Sequence, residues 1–377
     1  MNWKTTWPKA YPDTQASGTL KAIPEDFIVD EIPLFSPAAV NGLDANNDVG
    51  EHIYLHIKKR HVNTQWVAKL LAQFCGVKEN DVGYAGLKDR RAVTTQWFSI
   101  YLPLRNLKEE ISFPQFLDAQ AIFDNDELVQ EDGEFIEVLE QTRHNKKLRP
   151  GDLLGNRFQL VVRDLQAENV ENAVQAIEQN LTAIKQHGVP NYFGDQRFGH
   201  DYGNLDEAYS MFLFKKNGAK EQGGRRERNK WKNKKKRGLY LSAARSYFFN
   251  LVVAHRIESG LWGKMIAGDI GADLTAVDNA EQATAPLWGR GRLVTTNETL
   301  AMEEQIADTL NQEFSGLLEG LEHSGLDQER RLVTAKVEGL SWSWQDGDLQ
   351  LSFALPAGYY ATSVVSELLE EVLQEAL

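Results

Sequence analysis

The stretch Gly83-Tyr-Ala-Gly-Leu-Lys-Asp-Arg-Arg-Ala-Val-Thr-Thr-Gln96 separates two segments of different period, and that division decides how the first half of the chain folds. Upstream, Trp66, Val67, Leu70, Leu71 and Phe74 recur at helical spacing, with Asn63 placed to cap the helix and Gly76 to end it. Before that helix, Ile53, Leu55 and Ile57 alternate through 52–58, which predicts a strand. Downstream, 95–102 predicts another. The stretch between is a polar turn whose two glycines allow tight curvature and close backbone approach. In it Asp89 is flanked by Lys88, Arg90 and Arg91. Adjacent cations lower a carboxylate's pKa, so Asp89 is expected to stay ionised as a nucleophile or base, with the cations able to hold a phosphodiester. A solvated charged turn accounts for the same charges, because ion-pair networks are often structural.

Working outward, 18–34 reads as extended, broken at Pro24, and 38–50 reads as a loop rich in Asn, Asp and Gly. Strands are predicted at 134–143 and 156–165, then a helix over 167–186 that Gly188 ends. From there to about 335 the pattern is mostly helical. Ser242 can cap a helix bearing Tyr247, Phe248, Leu251 and Val252, which Gly260 ends, and Asn297 can cap another bearing Leu300, Ile306 and Leu310. Strands return at 333–340 and 349–353, and a helix from about Ser363 closes the chain. Strand-rich, helix-rich, strand-rich is the order expected of a helical domain inserted into an α+β domain.

Composition narrows the class. A chain of 377 residues, 42% hydrophobic, can bury a large core in two lobes. Its apolar runs are too short to span a bilayer, and its first residues do not read as a secretory signal. The single cysteine, Cys75, excludes an internal disulfide and a Cys-based zinc site, and points to a reducing cytoplasm. The net charge of −13 speaks mildly against a general nucleic-acid coat, but basic residues cluster. Between Arg225 and Arg237 stand nine cations and one acid, Glu227, with Trp231 among them. Such a run is commonly a solvated loop, and a loop of this kind can still bind phosphates through counterion release. His52 and His56 share a strand face, with His61 beyond; an exposed polar face is expected there rather than a metal site, as no second ligand cluster stands out. Phosphate-cradling, dinucleotide-binding and nucleophile-elbow glycine motifs do not occur.

Three further segments could carry chemistry. In Gly155-Asn-Arg-Phe158, Asn156 has the donor and acceptor needed to read a base edge, and Phe158 is either core or a stacking platform. In Asn191-Tyr-Phe-Gly-Asp-Gln-Arg-Phe-Gly199, aromatics, amides and Arg197 suit a binding loop, or equally a turn packed against a helix start. Leu355-Pro-Ala-Gly-Tyr-Tyr-Ala-Thr362 turns into a helix, and at most one of Tyr359 and Tyr360 is expected to reach a ligand.

Taken in order, these segments, with Lys21-Ala-Ile-Pro-Glu-Asp-Phe-Ile-Val29 before them and Ala85-Gly-Leu-Lys-Asp-Arg-Arg-Ala-Val-Thr94 as the centre, resemble the TruD family of tRNA pseudouridine synthases. The resemblance covers nearly the whole chain. It implies an α+β fold: a pseudouridine-synthase-type catalytic domain with a mixed or antiparallel sheet over 1–187 and 338–377, interrupted by a largely helical TRUD domain over 188–337. It implies isomerisation of uridine to pseudouridine at position 13 of tRNA by a cytoplasmic enzyme without cofactor or metal. The partner implied is tRNA, with neither membrane nor protein partner, and the chain acting as a monomer.

Carried over by position, Asp89 is the catalytic aspartate, and Phe27, Asn156 and Tyr360 contact the target uridine. Tyr360 stands where some relatives have Phe. Phe158 matches the aromatic that stacks, and Lys21 is a cation that could pair with Asp89. Lys88, Arg90 and Arg197 are weaker candidates for RNA contact. Ser366 stands where some relatives carry Arg. A non-catalytic RNA-binding protein or RNA chaperone on the same fold would explain the basic tract and aromatics but leaves Asp89 without a purpose. A hydrolase using Asp89 would instead release free base.

Overall fold

The helix upstream of the central turn forms as its spacing predicts. In α1 (Thr64–Cys75), Asn63 Oδ1 accepts the Trp66 N–H at 2.7 Å, and Gly76 closes the helix at φ 64°. Val67, Leu70 and Leu71 are fully buried against Ile53, Leu55 and Ile57 of the preceding strand. Each such side chain contributes roughly 1.5–3 kcal/mol by leaving water. The computed structural model describes residues 1–35, 50–103, 113–118, 133–216, 233–274 and 283–373. The expected loop at 38–50 lies outside them except at Gly50, as do residues 225–232 of the basic run.

The chain divides into two compact units. The first comprises Gln15–Val170, Val337–Gly358 and Glu371–Leu377. It is built on a ten-stranded mixed sheet. Its strands are β1 (Ala16–Leu20), β2 (Phe27–Pro33), β3 (His52–Arg60), β4 (Val82–Tyr84), β5 (Val93–Tyr101), β6 (Phe135–His144), β7 (Leu153–Ala167), β12 (Glu338–Gln345), β13 (Asp348–Pro356) and β14 (Glu371–Leu373). The main order is β12-β13-β7-β2-β5-β3-β6, with β1 paired to β7 and β14, and β4 to β5. Only the β2–β5 and β1–β14 pairs are parallel. The α+β class with a mixed sheet is as expected. The closing helix is shorter than expected, and β14 follows it.

Register places the site residues. Lys59, Thr94, Val29, Phe158 and Phe353 lie opposite one another across β3, β5, β2, β7 and β13, so their side chains share one face. One step along, Glu31, Asn156 and Leu355 are in register on that face. The opposite face around β3 differs from expectation. His52 is only 8% exposed and tilts onto Tyr101, while His56 stacks on Trp97 at 4.8 Å. Burial lowers the pKa of both. This face is aromatic packing rather than an open polar surface, because Tyr54, Trp97 and Leu148 gather there with Phe35. Among the described residues, no group of three or more His, Cys, Asp and Glu could hold a metal ion.

The second unit comprises Met1–Thr14, Glu171–Lys336 and Tyr359–Glu370. Three segments outside the expected 188–337 span, the N-terminal residues, 171–187 and 359–370, therefore group with the helices. Their contacts explain it: Trp3 stacks on Phe314 with centroids 3.8 Å apart, and the Tyr11 hydroxyl donates to Gly188 O at 2.6 Å. Among the described residues its α-helices are α2 (Val170–His187), α3 (Gly203–Lys216), α4 (Lys234–Glu258), α5 (Asn297–Glu313), α6 (Leu317–Glu322) and α7 (Ala361–Ser366). Paired short strands accompany them: β8 (Val189–Pro190) with β11 (Thr334–Ala335), and β9 (Thr284–Leu287) with β10 (Glu329–Leu332).

Two expected caps moved. Helix α4 begins two turns before Ser242, where Asn233 Oδ1 accepts the Lys236 N–H at 3.3 Å; the Ser242 hydroxyl is taken by Arg197 at 3.0 Å. Helix α5 has Thr296, not Asn297, at its N-cap. The core here is aromatic, centred on Tyr247, Phe248 and Phe249, and holds a buried ion pair, Arg256–Asp269, at 2.8 Å.

Candidate active site

The turn carrying Asp89 is pinned at almost every residue. Gly151 N–H bonds Ala85 O at 2.8 Å, and the Gln96 side-chain amide donates to Gly86 O at 3.1 Å. The Thr64 hydroxyl accepts the Lys88 N–H at 3.0 Å and donates to Gln96 Oε1 at 2.9 Å. Arg90 Nε donates to His61 O at 2.9 Å, and its Nη2 lies 3.4 Å from Glu134. Gly83 is required, since a Cβ there would sit 2.3 Å from Leu148 O. At Gly86 a Cβ would meet Lys88 Nζ at 3.9 Å, an ordinary contact, so only one of the two glycines answers a close approach.

The cations at Asp89 are not its sequence neighbours. Lys88 turns away to Glu31 at 2.7 Å, both side chains buried, and the other Glu31 oxygen accepts the Trp97 N–H at 3.2 Å. Lys21 bonds the Asp89 carboxylate directly, and the Arg91 N–H donates to Asp89 Oδ1 at 3.0 Å. Lys59, with no exposed surface, donates to the Asp89 carbonyl at 3.0 Å. Burial pushes the Asp89 carboxyl up, but Lys21, the Arg91 N–H and Lys59 together outweigh it and the net shift is downward. Burial in turn lowers the Lys59 ammonium to about 8, with Asp89 opposing that fall. The result is an ionised carboxylate, 30% exposed, fixed on one side and open on the other. Such a group can attack an electrophilic carbon or take a proton.

Lys21 is held by its surroundings. Its φ of 64° is left-handed, which is costly for a lysine, and its ammonium lies 4.2 Å from the Phe27 ring centre. The turn Pro24–Asp26 that follows is locked by Arg163 gripping Asp26 with bonds of 2.6 to 3.0 Å. Phe27 and Phe158 meet edge to face at 6.2 Å, and Phe158 leans on Phe353 at 5.4 Å. Both Phe27 and Phe158 are 6% exposed, so they pack as core and offer edges rather than open faces. Asn156 is half-buried, and its Oδ1 is buried without a hydrogen-bond partner. An unpaired buried acceptor costs about 1–3 kcal/mol, and this one is available to a donor.

Asp89, Lys21, Lys88, Arg90, Phe27, Asn156 and Phe158 all belong to the first unit. Tyr360 and Arg197 belong to the second. There, Tyr360 precedes α7 and meets Phe193 edge-on at 6.2 Å, and a Cβ on Gly194 would come 3.7 Å from its ring. Asn250 clamps the Phe193 backbone, accepting its N–H at 2.9 Å and donating to its carbonyl at 3.0 Å. Ser366 makes an ordinary bond within its helix, to Ser363 O. Lys59 and Glu31 escaped the reading of the sequence. A signal for Lys59 was there: it continues the inward series Ile53, Leu55, Ile57 on β3, and a lysine at an inward position needs a partner.

The family model of tRNA pseudouridine synthase D (TruD) matches residues 10–208 and 232–368. A tRNA pseudouridine synthase D of Cellvibrio japonicus is 39% identical over 363 residues, 96% of this chain and 92% of that protein. One of Methylococcus capsulatus is 40% identical over 381 residues, covering 96% and 94%. The crystal structure of a Methanosarcina mazei protein assigned as a tRNA pseudouridine synthase D superposes with a TM-score of 0.62 at 22% identity, over 97% of this chain and 96% of that one, a likeness of fold. The family model and the two sequence relatives agree on one class, the pseudouridine synthases. Within it, the chain belongs to the tRNA pseudouridine synthase D family.

Proposed function

We propose that the protein isomerises uridine to pseudouridine in tRNA, at position 13, with Asp89 as the catalytic carboxylate. The observation that carries this is the charge state and placement of Asp89: an ionised, partly open carboxylate held by Lys21, Lys59 and the Arg91 N–H. The reaction breaks the N-glycosidic bond, turns the uracil and rejoins it through C5. It is redox-neutral and adds no water, so its chemistry requires no cofactor. Asp89 either attacks C1′ or abstracts a proton to give a glycal-like intermediate. The base stays bound throughout, which removes the second carboxylic acid that a glycosidase uses to expel its leaving group. The target must leave its stack at a cost of a few kcal/mol. Asn156 Oδ1 offsets part of that by accepting from the polar edge of the base, over an apolar floor made by Phe27 and Phe158.

Lys88 serves the turn rather than the RNA in this scheme, because Glu31 holds its ammonium. The first unit is the catalytic one and the second supplies RNA contacts. The enzyme works as a monomer on tRNA in the cytoplasm; no helix among the described residues is long and apolar enough to cross a membrane. Incubating unmodified tRNA with the pure protein and mapping pseudouridine at single-nucleotide resolution tests the reading. Product at position 13 is expected. Release of free uracil without pseudouridine would mean a hydrolase and end it.

A further inference from the structure

The second unit contains a cavity of about 340 Å³ whose lining includes Phe193, Arg197, Ser242, Arg245, Glu329 and Arg331. Three guanidinium groups face one carboxylate, the only one among the described residues that line it. That carboxylate, Glu329, lies 3.2 Å from Arg245 but is 64% exposed, so solvent screens much of its charge. The guanidinium groups are less free. Arg331 is wedged among rings, its carbon 4.2 Å from the Phe193 centroid and 4.8 Å from that of Tyr359, and it bonds Asn191 Oδ1. Arg197 sits 5.1 Å from the Phe193 centroid and reaches Ser242. Arg245 is 12% exposed and donates to Leu287 O at 3.0 Å and Asp327 O at 2.8 Å. Arg197 Nε and Arg245 Nε are buried without a hydrogen-bond partner.

Like charges gathered in a partly desolvated cavity repel, and an anion removes that cost. Burial, opposed by Tyr359 and Tyr360 and aided by the charge of Arg197, brings the Arg331 guanidinium down to about 10. Planar guanidinium groups match phosphate geometry better than a point charge does. The cavity is far larger than one phosphate ion, and suits a phosphate carried on a sugar. We infer that this cavity holds a backbone phosphodiester of the RNA substrate, gripped by Arg197, Arg245 and Arg331. The inference rests on the chain acting on tRNA. It adds a phosphate site in a unit that does not contain Asp89.

The test compares full-length wild type with Ser242→Glu, which puts an acid at the cavity wall, and Glu329→Gln, which removes an exposed one. Binding of unmodified tRNA is measured from about 50 to about 200 mM salt, with thermal melting to check folding. Ser242→Glu is expected to weaken binding about tenfold and to reduce the slope of log K against log salt by about one. Glu329→Gln is expected to move affinity the other way, an opposite sign that a merely structural role for the arginines does not produce. Inorganic phosphate serves as the second probe. A melting rise with phosphate in wild type that Ser242→Glu loses, with unchanged tRNA binding, would assign the cavity to free phosphate and overturn the RNA assignment. So would folded variants that both bind tRNA as wild type does. Pseudouridine formation by the same wild-type preparation separates the two ideas: product with unchanged variant binding removes only the cavity, and no product removes the synthase reading itself.

Discussion

Asp89 owes its charge to two lysines distant in the chain, Lys21 and Lys59, and to one backbone N–H. Its neighbours Lys88 and Arg90 are occupied with Glu31, His61 and Glu134. Lys59 acts at one remove: its ammonium holds the Asp89 carbonyl and its charge lowers the Asp89 carboxyl. Lys59→Met keeps the stem and removes both effects. The acid limb of the pH–rate profile should move to higher pH, and the rate at neutral pH should fall about tenfold or more, as loss of a charged hydrogen bond of about 1.5–3 kcal/mol implies. The protein should still melt cooperatively. An acid limb that stays in place would show that Lys59 is only a structural tie. Asn156 is the other residue-scale case. Asn156→Ala removes an acceptor that the free protein leaves unpaired, so stability should change little while KM for tRNA or the rate suffers. A large fall in melting temperature with normal kinetics would contradict the role given to it.

Elements were legible in the sequence where one local signal decided them. Helix α1 carries its cap, its stripe and its terminal glycine within fourteen residues, from Asn63 to Gly76, and formed as read. Most strands of the first unit were legible, β3 from its alternation, and so was the α+β class; β4, inside the stretch read as a polar turn, and β14, beyond the closing helix, were not. Helix α4 was misplaced because Ser242 looks like a cap, yet its hydroxyl is spent on Arg197, a partner from 45 positions away. The face bearing His52 and His56 was misread for the same reason: Trp97 and Tyr101 reach it from the neighbouring strand, and pairing is not written in one strand alone. Of the candidate site, Asp89 and its ionisation were legible, and its true cations only in part. Gly155 gives an element-scale prediction. A Cβ there would lie 2.3 Å from Leu355 O, across the β7–β13 ladder. Gly155→Ala should cost about 1–3 kcal/mol in urea unfolding, and it should reduce activity by shifting Asn156. A variant as stable as wild type would mean that the two strands part without cost.

At the scale of the molecule, the N-terminal segment Met1–Thr14 is tied into the second unit by a buried acid. Glu367 Oε2 accepts the N–H groups of Ala10 at 2.9 Å and Tyr11 at 3.1 Å. Burial still pushes its carboxyl up to about 7, against the lowering by those two bonds. In the unfolded chain it titrates at about 4.3. The folded state therefore keeps a proton that the unfolded state has lost, and this contribution, whole below about 4.3, is lost as pH rises through the folded value. Glu367→Gln can keep both bonds through its carbonyl oxygen and has no proton to lose. Its stability relative to wild type should rise between about pH 5 and about pH 8, by on the order of 1–3 kcal/mol in urea unfolding. Parallel stability curves would refute the assignment. The central claim lies elsewhere, in a single carboxylate, and one comparison tests it most directly: pseudouridine formed by wild type and by Asp89→Asn on the same unmodified tRNA, with tRNA affinity measured alongside. The account predicts no product from the variant and affinity close to wild type. An Asp89→Asn protein that forms pseudouridine at the wild-type rate would contradict it.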